Sequence, residues 1–173
     1  MRVRGGSLQN CLVVCATKQP NTCEVAAQIA NALRLRDVAV DLECSRRVVD
    51  IDEYDAVVIG ARLCHGRWQT STKRFLTRHR EALLAKDVAL FAPGPCGAGQ
   101  EEYDRSWNRL IKMLHRLGWL DPVRIEVFSD RDLPEEVACC PDGEQSRIAQ
   151  WCRGLTVSMQ SSEREAPHQP DIT

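Results

Sequence analysis

Fully apolar runs alternate along the chain with segments of helical hydrophobic spacing. The runs CLVVCA (residues 11–16) and AVVI (residues 56–59) contain no charged residue, which is typical of strands buried on both faces. Between such runs, apolar residues recur every three or four positions, as on one face of an amphipathic helix. The pattern predicts strands at 11–16, 38–42, 56–59, 88–91 and 123–128, and helices at 22–36, 70–84, 101–117 and 145–159.

The order of these elements predicts an α/β fold built on a parallel sheet. A helix follows every predicted strand except the second, where residues 51–54 offer only a turn before the third strand begins. Parallel strands joined by helices form a sheet that is covered on both faces. Right-handed crossovers then leave only a few doubly wound arrangements.

The length of the chain and its polar ends indicate one domain. Its 173 residues are enough for one sizeable core. We expect a flexible N-terminus at residues 1–9, the folded domain at 10–159, and a disordered polar tail at 160–173. The first residues do not resemble a secretory signal, and no apolar run approaches the roughly 20 residues of a membrane span. These features predict a cytoplasmic protein without a transmembrane segment.

Charge and cysteine content argue against several classes of function. The net charge is −1, from 23 basic and 24 acidic side chains, which gives no general attraction to nucleic acids or anionic membranes. The nine cysteines include no C-x-x-C pair, which argues against a closed zinc site. We therefore predict no metal site and interpret the cysteines as small apolar residues in a reducing compartment.

Three loops at the carboxyl ends of predicted strands are rich in glycine, proline and hydrogen-bonding side chains. They are TKQPNT after the first strand, ARLCHGRW after the third and APGPCGAGQ after the fourth. In doubly wound folds, ligands bind outside this edge of the sheet, where the strand order reverses. Asn21, followed three residues later by Glu24, also predicts a capping-box start for the first helix.

Other ligand-binding α/β families do not fit these loops. A response-regulator receiver needs acidic residues at the ends of its first and third strands, where this chain has none. The chain has neither a P-loop nor a G-x-S-x-G elbow. Gly94, Gly97 and Gly99 lie in the wrong loop for a dinucleotide fingerprint and are interpreted as a flexible turn.

Two stretches of the sequence resemble a known family. CATKQPNTCEVAAQIANAL, at residues 15–33, resembles the opening of flavodoxin-domain proteins, in which a strand runs into a hydroxyl-rich phosphate loop and a helix. Residues 52–83 are similar to the branch that includes the menaquinone-dependent protoporphyrinogen dehydrogenases. In that branch a G-[KRH]-[WY]-like turn, here Gly66-Arg67-Trp68, leads into an amphipathic helix with a basic residue–histidine pair, here Arg78-His79.

The resemblance implies a flavodoxin-like, doubly wound five-stranded parallel sheet in the order 2-1-3-4-5 and one bound flavin mononucleotide (FMN). It places the FMN phosphate in the first loop, at a helix N-terminus, and the flavin ring between the second and third loops. For Asn21 the alternative is a plain helix cap, and for Thr17 and Thr22 it is hydrogen bonding within the loop. The cofactor-binding residues implied in this way are Thr17, Lys18, Gln19, Asn21, Thr22, Arg62, Leu63, Cys64, His65, Gly66, Trp68, Gly94, Pro95, Cys96 and Gly97.

Two departures from the family pattern leave two functions open. Pro20 stands where the family commonly has glycine, and proline has no backbone N–H. Cys64 stands where many relatives carry an aromatic ring; Trp68 or His65 could replace that ring, and Trp68 could equally belong to the core. One hypothesis is an FMN-dependent oxidoreductase or electron carrier, with a redox partner protein or a quinone as its partner. The other is a flavodoxin-like domain without flavin that binds or regulates a partner.

The second loop also suggests a reactive thiol. Cys64 is close in sequence to Arg62, His65 and Arg67, and nearby positive charge favours the reactive thiolate. We therefore predict that Cys64 is the most reactive cysteine and that its oxidation hinders flavin binding. The alternative is that Cys64 only fills space. Cys15 and Cys96 are expected at the same edge of the sheet.

Overall fold

Seven strands, five α-helices and a 3₁₀ helix at Asp130–Asp132 form the part of the chain that the computed structural model describes, residues 10–94, 99–133 and 146–161. The strands are β1 (Asn10–Cys15), β2 (Ala39–Cys44), β3 (Ala56–Gly60), β4 (Leu63–Cys64), β5 (Arg67–Trp68), β6 (Asp87–Pro93) and β7 (Arg124–Phe128). The helices are α1 (Pro20–Arg34), α2 (Thr70–Arg78), α3 (Arg80–Leu84), α4 (Gln100–Leu117) and α5 (Arg147–Ser161). The predicted N-terminal segment 1–9 and residues 162–173 of the predicted tail lie outside the described residues, whereas residues 160 and 161 belong to α5.

Five strands form a parallel sheet in the order β2-β1-β3-β6-β7. All four neighbouring pairs are parallel, and β1 is an interior strand because it pairs with both β2 and β3. Residues 11–15 of β1 are all buried, as their continuous apolar sequence predicts. The predicted α/β fold and its flavodoxin-like strand order, 2-1-3-4-5 when only the strands of this sheet are counted, are confirmed.

Two apolar clusters cover the two faces of this sheet. On one face, α1 and α5 pack on the strands, and Leu155 of α5 is fully buried there. On the other face, α2, α3 and α4 cover the strands, and Leu110 of α4 is fully buried. Val13 and Val14 of β1 belong to opposite clusters, because successive side chains of a strand point to opposite faces.

The link between β2 and β3 contains turns instead of a helix, which confirms the prediction of a missing crossover helix. Val48 and Ile51 are buried in this link and join the cluster on the α4 side of the sheet. A cavity lies beside the link, between the end of β2 and α2.

The helix predicted at residues 70–84 is divided into α2 and α3 at His79. His79 has φ −105° and ψ 17°, which ends α2 and begins α3. Its ring packs on the ring of Phe75 with 4.8 Å between centroids, and the residue is buried. The spacing of apolar residues does not reveal this break, because Leu76 and Leu83 are buried on either side of it.

A polar cluster around Arg147 orients α5 on the sheet. The guanidinium donates hydrogen bonds to Glu126 Oε1 at 2.7 Å, to Asp132 Oδ2 at 3.0 Å and to the Tyr103 hydroxyl oxygen at 2.9 Å. It also lies 5.7 Å from the centre of the Phe128 ring. These contacts connect α5 to β7 and α4 through one side chain, which fixes the orientation of the helix more than a single ion pair would.

Acid is expected to destabilise the fold through His79. Burial and the neighbouring Arg78 hold the pKa of His79 below its ordinary value of 6.5, although Asp50 and Asp52 oppose the shift. The His79 Nε2 atom is buried, with no hydrogen-bond partner in the described ranges. A histidine whose pKa is lower in the folded state takes up a proton more readily when unfolded. Its contribution to stability is therefore complete above pH 6.5 and is lost as the pH falls through the folded-state pKa.

We expect the free energy of unfolding, measured by urea titration, to fall as the pH is lowered below 6.5. His79→Gln should flatten this part of the curve because glutamine does not titrate. His115→Gln changes an exposed histidine on α4 and serves as the control. A curve of the same slope in the wild type and in His79→Gln would contradict the assignment.

Candidate functional site

The loop from β1 into α1, residues 16–19, is anchored at its first residue. Ala16 N donates a hydrogen bond to Gly60 O at 2.9 Å, which joins the ends of β1 and β3. Ala16 O accepts hydrogen bonds from Ser71 Oγ at 2.6 Å and from Thr72 Oγ1 at 3.1 Å. The loop is thus fixed by β3 on one side and by the first turn of α2 on the other.

Helix α1 begins at Pro20, directly after this loop. Gln19 is the N-cap residue and no side chain caps the helix, so the predicted capping box of Asn21 and Glu24 is wrong. Proline explains the difference, since it is favoured at the first helical position and here starts the helix before Asn21. The first intrahelical hydrogen bond runs from Cys23 N to Gln19 O at 3.2 Å.

Two buried hydroxyls lie at this helix start. Thr17 Oγ1 accepts a hydrogen bond from Gln19 N at 3.2 Å, while Thr22 is fully buried and its Oγ1 has no partner among the described residues. A buried hydroxyl without a partner costs about 1–3 kcal/mol. The backbone amides at a helix start and the positive end of the helix dipole also favour an anion, and the exposed Lys18 adds positive charge. The residues present therefore fit a phosphate group.

Gly60 brings Thr22 to the edge of the sheet. A Cβ atom at Gly60 would lie 3.1 Å from Thr22 Cγ2 and 2.6 Å from Phe91 Cζ. A larger residue at the end of β3 would therefore push α1 or the Phe91 ring away. The glycine therefore allows the end of β3 to lie against both α1 and β6.

The loop after β3 is a short hairpin, β4 and β5, which the sequence does not predict as strands. His65 and Gly66 form its turn with φ values of 51° and 74°, and both lie in the left-handed region that a two-residue type I′ turn requires. Cys64 and His65 are exposed, and Cys64 Sγ lies 3.4 Å from His65 Nδ1. The hairpin thus presents a thiol and an imidazole beside each other; the greater reactivity of Cys64 stays a prediction.

Trp68 packs against the core on the α4 side of the sheet. It joins the apolar cluster there together with Leu63, and it lines a cleft of about 370 Å³ with Met113 and Leu117 of α4. Its Nε1 atom is buried and has no partner within the described part of the chain. This position corresponds to the core role that the sequence left open for Trp68. The base of the hairpin is closed by a hydrogen bond from Gln69 N to Arg62 O at 2.9 Å.

Of the residues predicted to bind the cofactor in the loop after β6, the structure describes Gly94. Gly94 N donates to Phe128 O at 2.6 Å, and a Cβ atom there would lie 3.1 Å from Val127 Cγ1. Glycine therefore lets the ends of β6 and β7 lie close together. Pro95, Cys96 and Gly97 lie outside the described residues, and their roles stay predictions.

Sequence reasoning missed a pair of thiols beside the first loop. Cys15 ends β1 and Cys23 lies in the first turn of α1, and their Sγ atoms are 2.7 Å apart. The sequence predicts Cys15 at an edge shared with Cys64 and Cys96 and gives no sign of Cys23, because the contact depends on how the loop folds back.

Sequence reasoning also missed a group of cations on the other side of the loop between β1 and α1. Lys18, Arg46, Arg74 and Arg78 line one cavity. The four-residue spacing of Arg74 and Arg78 was the available signal, since residues i and i+4 share a helix face.

The described ranges contain neither a cluster of metal ligands nor a helix that could span a membrane. No group of three or more His, Cys, Asp or Glu side chains there is placed to hold a metal ion. No helix there combines the length and the apolar composition needed to cross a bilayer.

The fold is similar to those of solved flavodoxin structures. For oxidised flavodoxin 1 from Bacillus cereus the TM-score is 0.56 at 16% identity, over 91% of this chain and 100% of that chain. For a short-chain flavodoxin associated with a non-canonical PDU bacterial microcompartment the TM-score is 0.61 at 19% identity, over 89% of this chain and 100% of that chain. These similarities concern the fold of the whole domain.

The same fold also matches part of a larger protein. Rubredoxin oxygen:oxidoreductase from Desulfovibrio gigas gives a TM-score of 0.52 at 17% identity, over 88% of this chain but only 37% of that chain. The search of curated proteins found no match. The family model described as "Flavodoxin domain" matches residues 12–131, which is more than half of the sequence. The chain therefore belongs to the flavodoxin domain family.

Proposed function

We propose that this protein is an FMN-binding redox protein that holds the FMN phosphate in the loop between β1 and α1. The observation that carries the proposal is the buried Thr22 Oγ1 at the N-terminus of α1, for which the described residues supply no partner. Membership of the flavodoxin domain family supports FMN as the ligand whose phosphate satisfies this hydroxyl. The proposed activity is flavin-dependent electron transfer or oxidoreduction.

Residues of the first loop and helix start would hold the phosphate. Thr17 and Thr22 supply hydroxyl groups, and Lys18 supplies a positive charge. Asn21 and Thr22 lie in the first turn of α1, before the first intrahelical hydrogen bond. Pro20 reduces this set by one, because it occupies the first helical position and has no N–H to donate.

The hairpin and the loop after β6 would flank the flavin ring. Arg62, Cys64 and His65 lie on the hairpin side, and Gly94 lies at the end of β6. When bound, the flavin ring supplies the redox chemistry. The protein adjusts it through contacts and charge, and the positive charge of Arg62 near the ring would favour uptake of electrons.

Pro20 and Cys64 support a second candidate, a flavodoxin-like domain without flavin that binds or regulates a partner. Pro20 removes one potential phosphate donor, and Cys64 puts a small exposed thiol on the hairpin. Trp68, which could have supplied a stacking ring, packs against α4. The two candidates differ in one measurable property, the binding of FMN by the unmodified protein.

The proposal also extends to the electron acceptor, for which we infer a quinone. Residues 52–83 resemble the menaquinone-dependent protoporphyrinogen dehydrogenases, which supports a quinone as the acceptor. A soluble menaquinone analogue should then reoxidise the reduced, FMN-loaded protein faster than it reoxidises free FMN. Equal rates would instead favour a redox partner protein.

We expect the protein to bind one FMN per chain and to bind riboflavin much more weakly. Riboflavin has the same ring without the phosphate, so the comparison isolates the contribution of the first loop. Hydrogen bonds to a charged group contribute about 1.5–3 kcal/mol each, so two of them predict an affinity for FMN about 100-fold or more higher. Quenching of flavin fluorescence during titration measures both affinities. No binding of either flavin would favour the second candidate.

A further inference from the structure

A basic cavity of about 620 Å³ lies between α2, the turn after β2 and Lys18. It opens where the fold lacks a helix between β2 and β3. Phe75 of α2 forms part of its wall and is itself buried. The volume is in the range of small-molecule sites, which is about 300–1,000 Å³.

Four cationic side chains line this basic cavity: Lys18, Arg46, Arg74 and Arg78. No acidic residue lines it, and none of the four side chains forms an ion pair in the described ranges. Four cations gathered in a chain of net charge −1 repel one another unless an anion joins them. The cluster therefore suits a ligand that carries several negative charges.

The N-terminus of α2 opens on the same basic cavity. Gln69, Thr70 and Ser71 line it at the helix start, where backbone amides and the helix dipole favour an anion. Guanidinium groups bind phosphate oxygens through two parallel hydrogen bonds, and the Thr70 hydroxyl adds a donor at the helix start, whereas Ser71 Oγ donates to Ala16 O.

We propose that the basic cavity binds a small ligand through an oligophosphate group. Three arginines and one lysine match several phosphate charges better than a single one. The concave shape favours a small molecule over a nucleic acid strand, which binds along an extended groove. The oligophosphate can be inorganic or carried by a nucleoside, since the phosphate chemistry is the same.

The basic cavity adjoins the proposed flavin site. Among the described residues of the predicted cofactor-binding set, Lys18 alone lines it. Removing Arg74 and Arg78 should therefore weaken oligophosphate binding at least tenfold and leave FMN binding intact. The two proposals can therefore fail separately: the protein could bind oligophosphate without binding FMN, or bind FMN without binding oligophosphate.

Calorimetric titration of the full chain with inorganic tripolyphosphate, ATP and inorganic phosphate tests the proposal. We expect tripolyphosphate or ATP to bind at least tenfold more tightly than phosphate, and binding to weaken as salt is raised. Tighter binding of ATP would indicate a nucleoside source, and equal affinities an inorganic one. The double variant Arg74→Gln, Arg78→Gln should lose at least tenfold in affinity.

The control variant removes the same charge elsewhere. Arg109→Gln with Lys112→Gln changes two exposed cations of α4 that do not line the basic cavity, and it should bind oligophosphate as the wild type does. Equal losses in both variants would show only general charge attraction and overturn the proposal. So would tighter binding of a single-stranded DNA oligonucleotide than of tripolyphosphate, or loss of FMN binding in the Arg74, Arg78 variant.

A second inference rests on the thiol pair Cys15 and Cys23. Their Sγ atoms are 2.7 Å apart, against about 2.0 Å in a disulfide bond, so little movement separates the thiols from a bond. Cys23 is exposed and Cys15 is buried. Burial raises the pKa of Cys15 to about 12, and its thiol donates to Thr17 O at 3.3 Å. Cys23 is therefore the thiol that meets an oxidant first.

We propose that a peroxide oxidises this pair to a disulfide in the folded protein. The Cys23 sulfur attacks hydrogen peroxide: an S–O bond forms, the O–O bond breaks, and the departing hydroxide takes the thiol proton as water. The Cys15 sulfur then attacks the Cys23 sulfur: the S–S bond forms, the S–O bond breaks, and the Cys15 proton leaves with hydroxide as a second water. Two thiols are oxidised while one peroxide is reduced to two waters.

Peptide mapping after limiting peroxide treatment tests this bond. We expect the peptides that contain Cys15 and Cys23 to be linked, with the link absent in Cys23→Ser and retained in Cys44→Ser. Cys44 is the matched control because it lies beside Cys15 on β2 and is exposed. A link between Cys15 and Cys44, or unchanged thiols at Cys15 and Cys23, would overturn the proposal.

Discussion

Thr22→Val is expected to weaken FMN binding about 10- to 150-fold without weakening the fold. The substitution replaces the buried hydroxyl by a methyl group of similar size, which removes one hydrogen bond to a charged phosphate, worth about 1.5–3 kcal/mol. In the absence of FMN, the hydroxyl has no partner among the described residues, so its removal should leave the free energy of unfolding unchanged or increase it. FMN titration and urea unfolding of the flavin-free protein measure the two effects.

Thr72→Val is the matched control, since Thr72 is equally buried but its Oγ1 donates to Ala16 O at 3.1 Å. This substitution should lower the free energy of unfolding by about 1 kcal/mol, because it removes a satisfied hydrogen bond. The two substitutions should therefore differ in stability. Thr22→Val should leave the free energy of unfolding of the flavin-free protein unchanged or higher, whereas Thr72→Val should lower it. A Thr22→Val protein that binds FMN as the wild type does would rule out the phosphate contact.

Phe91→Ala is expected to cause the largest loss of stability, about 3–5 kcal/mol. Phe91 is fully buried on β6, and its ring lies 6.3 Å from that of Phe128, which in turn contacts Trp151 edge-on at 5.6 Å. The alanine leaves a cavity between the sheet and the α1 side of the core. The free energy of unfolding of a domain of this kind is only about 5–15 kcal/mol, so urea or thermal unfolding will show the change clearly. Leu35→Ala, at a residue that is 86% exposed, should change stability by less than about 0.5 kcal/mol.

The close approach of Gly60 and Phe91 allows a sharper version of this test. Gly60→Ala alone should destabilise the protein, because its Cβ would lie 2.6 Å from Phe91 Cζ. In a Phe91→Leu background the shorter side chain leaves room, so the same glycine substitution should cost less. Strictly additive losses in this double-mutant cycle would contradict the contact.

The sequence predicts the sheet well because its signals are local. The apolar runs of β1 and β3 indicate strands buried on both faces, and helical spacing locates α1 and α4. Gly118, which ends α4 with φ 72°, marks a boundary that the sequence also predicts.

The sequence fails where the structure depends on single residues or on tertiary contacts. The hairpin of β4 and β5 has strands of two residues, which are too short to show alternation. His79 divides a helix without interrupting its apolar face. Pro20 starts α1 before Asn21, whose side chain is a good cap by composition alone.

Within the candidate site, the sequence identifies residue types but not their pairing. It assigns Thr17 and Thr22 to the phosphate site, yet only the folded chain shows that the Thr17 hydroxyl is paired and that the described residues give the Thr22 hydroxyl no partner. The contact of Cys15 with Cys23 and the basic cavity around Arg74 arise in the same way, from segments that the fold brings together.

Backbone amide NMR during an FMN titration tests the central claim most directly. We predict saturable shifts at one FMN per chain, largest at the amides of Lys18 and Thr22, and much smaller shifts there with riboflavin. Binding that leaves these amides unchanged, or that shifts only residues of the basic cavity such as Arg46 and Arg78, would contradict the proposed phosphate loop.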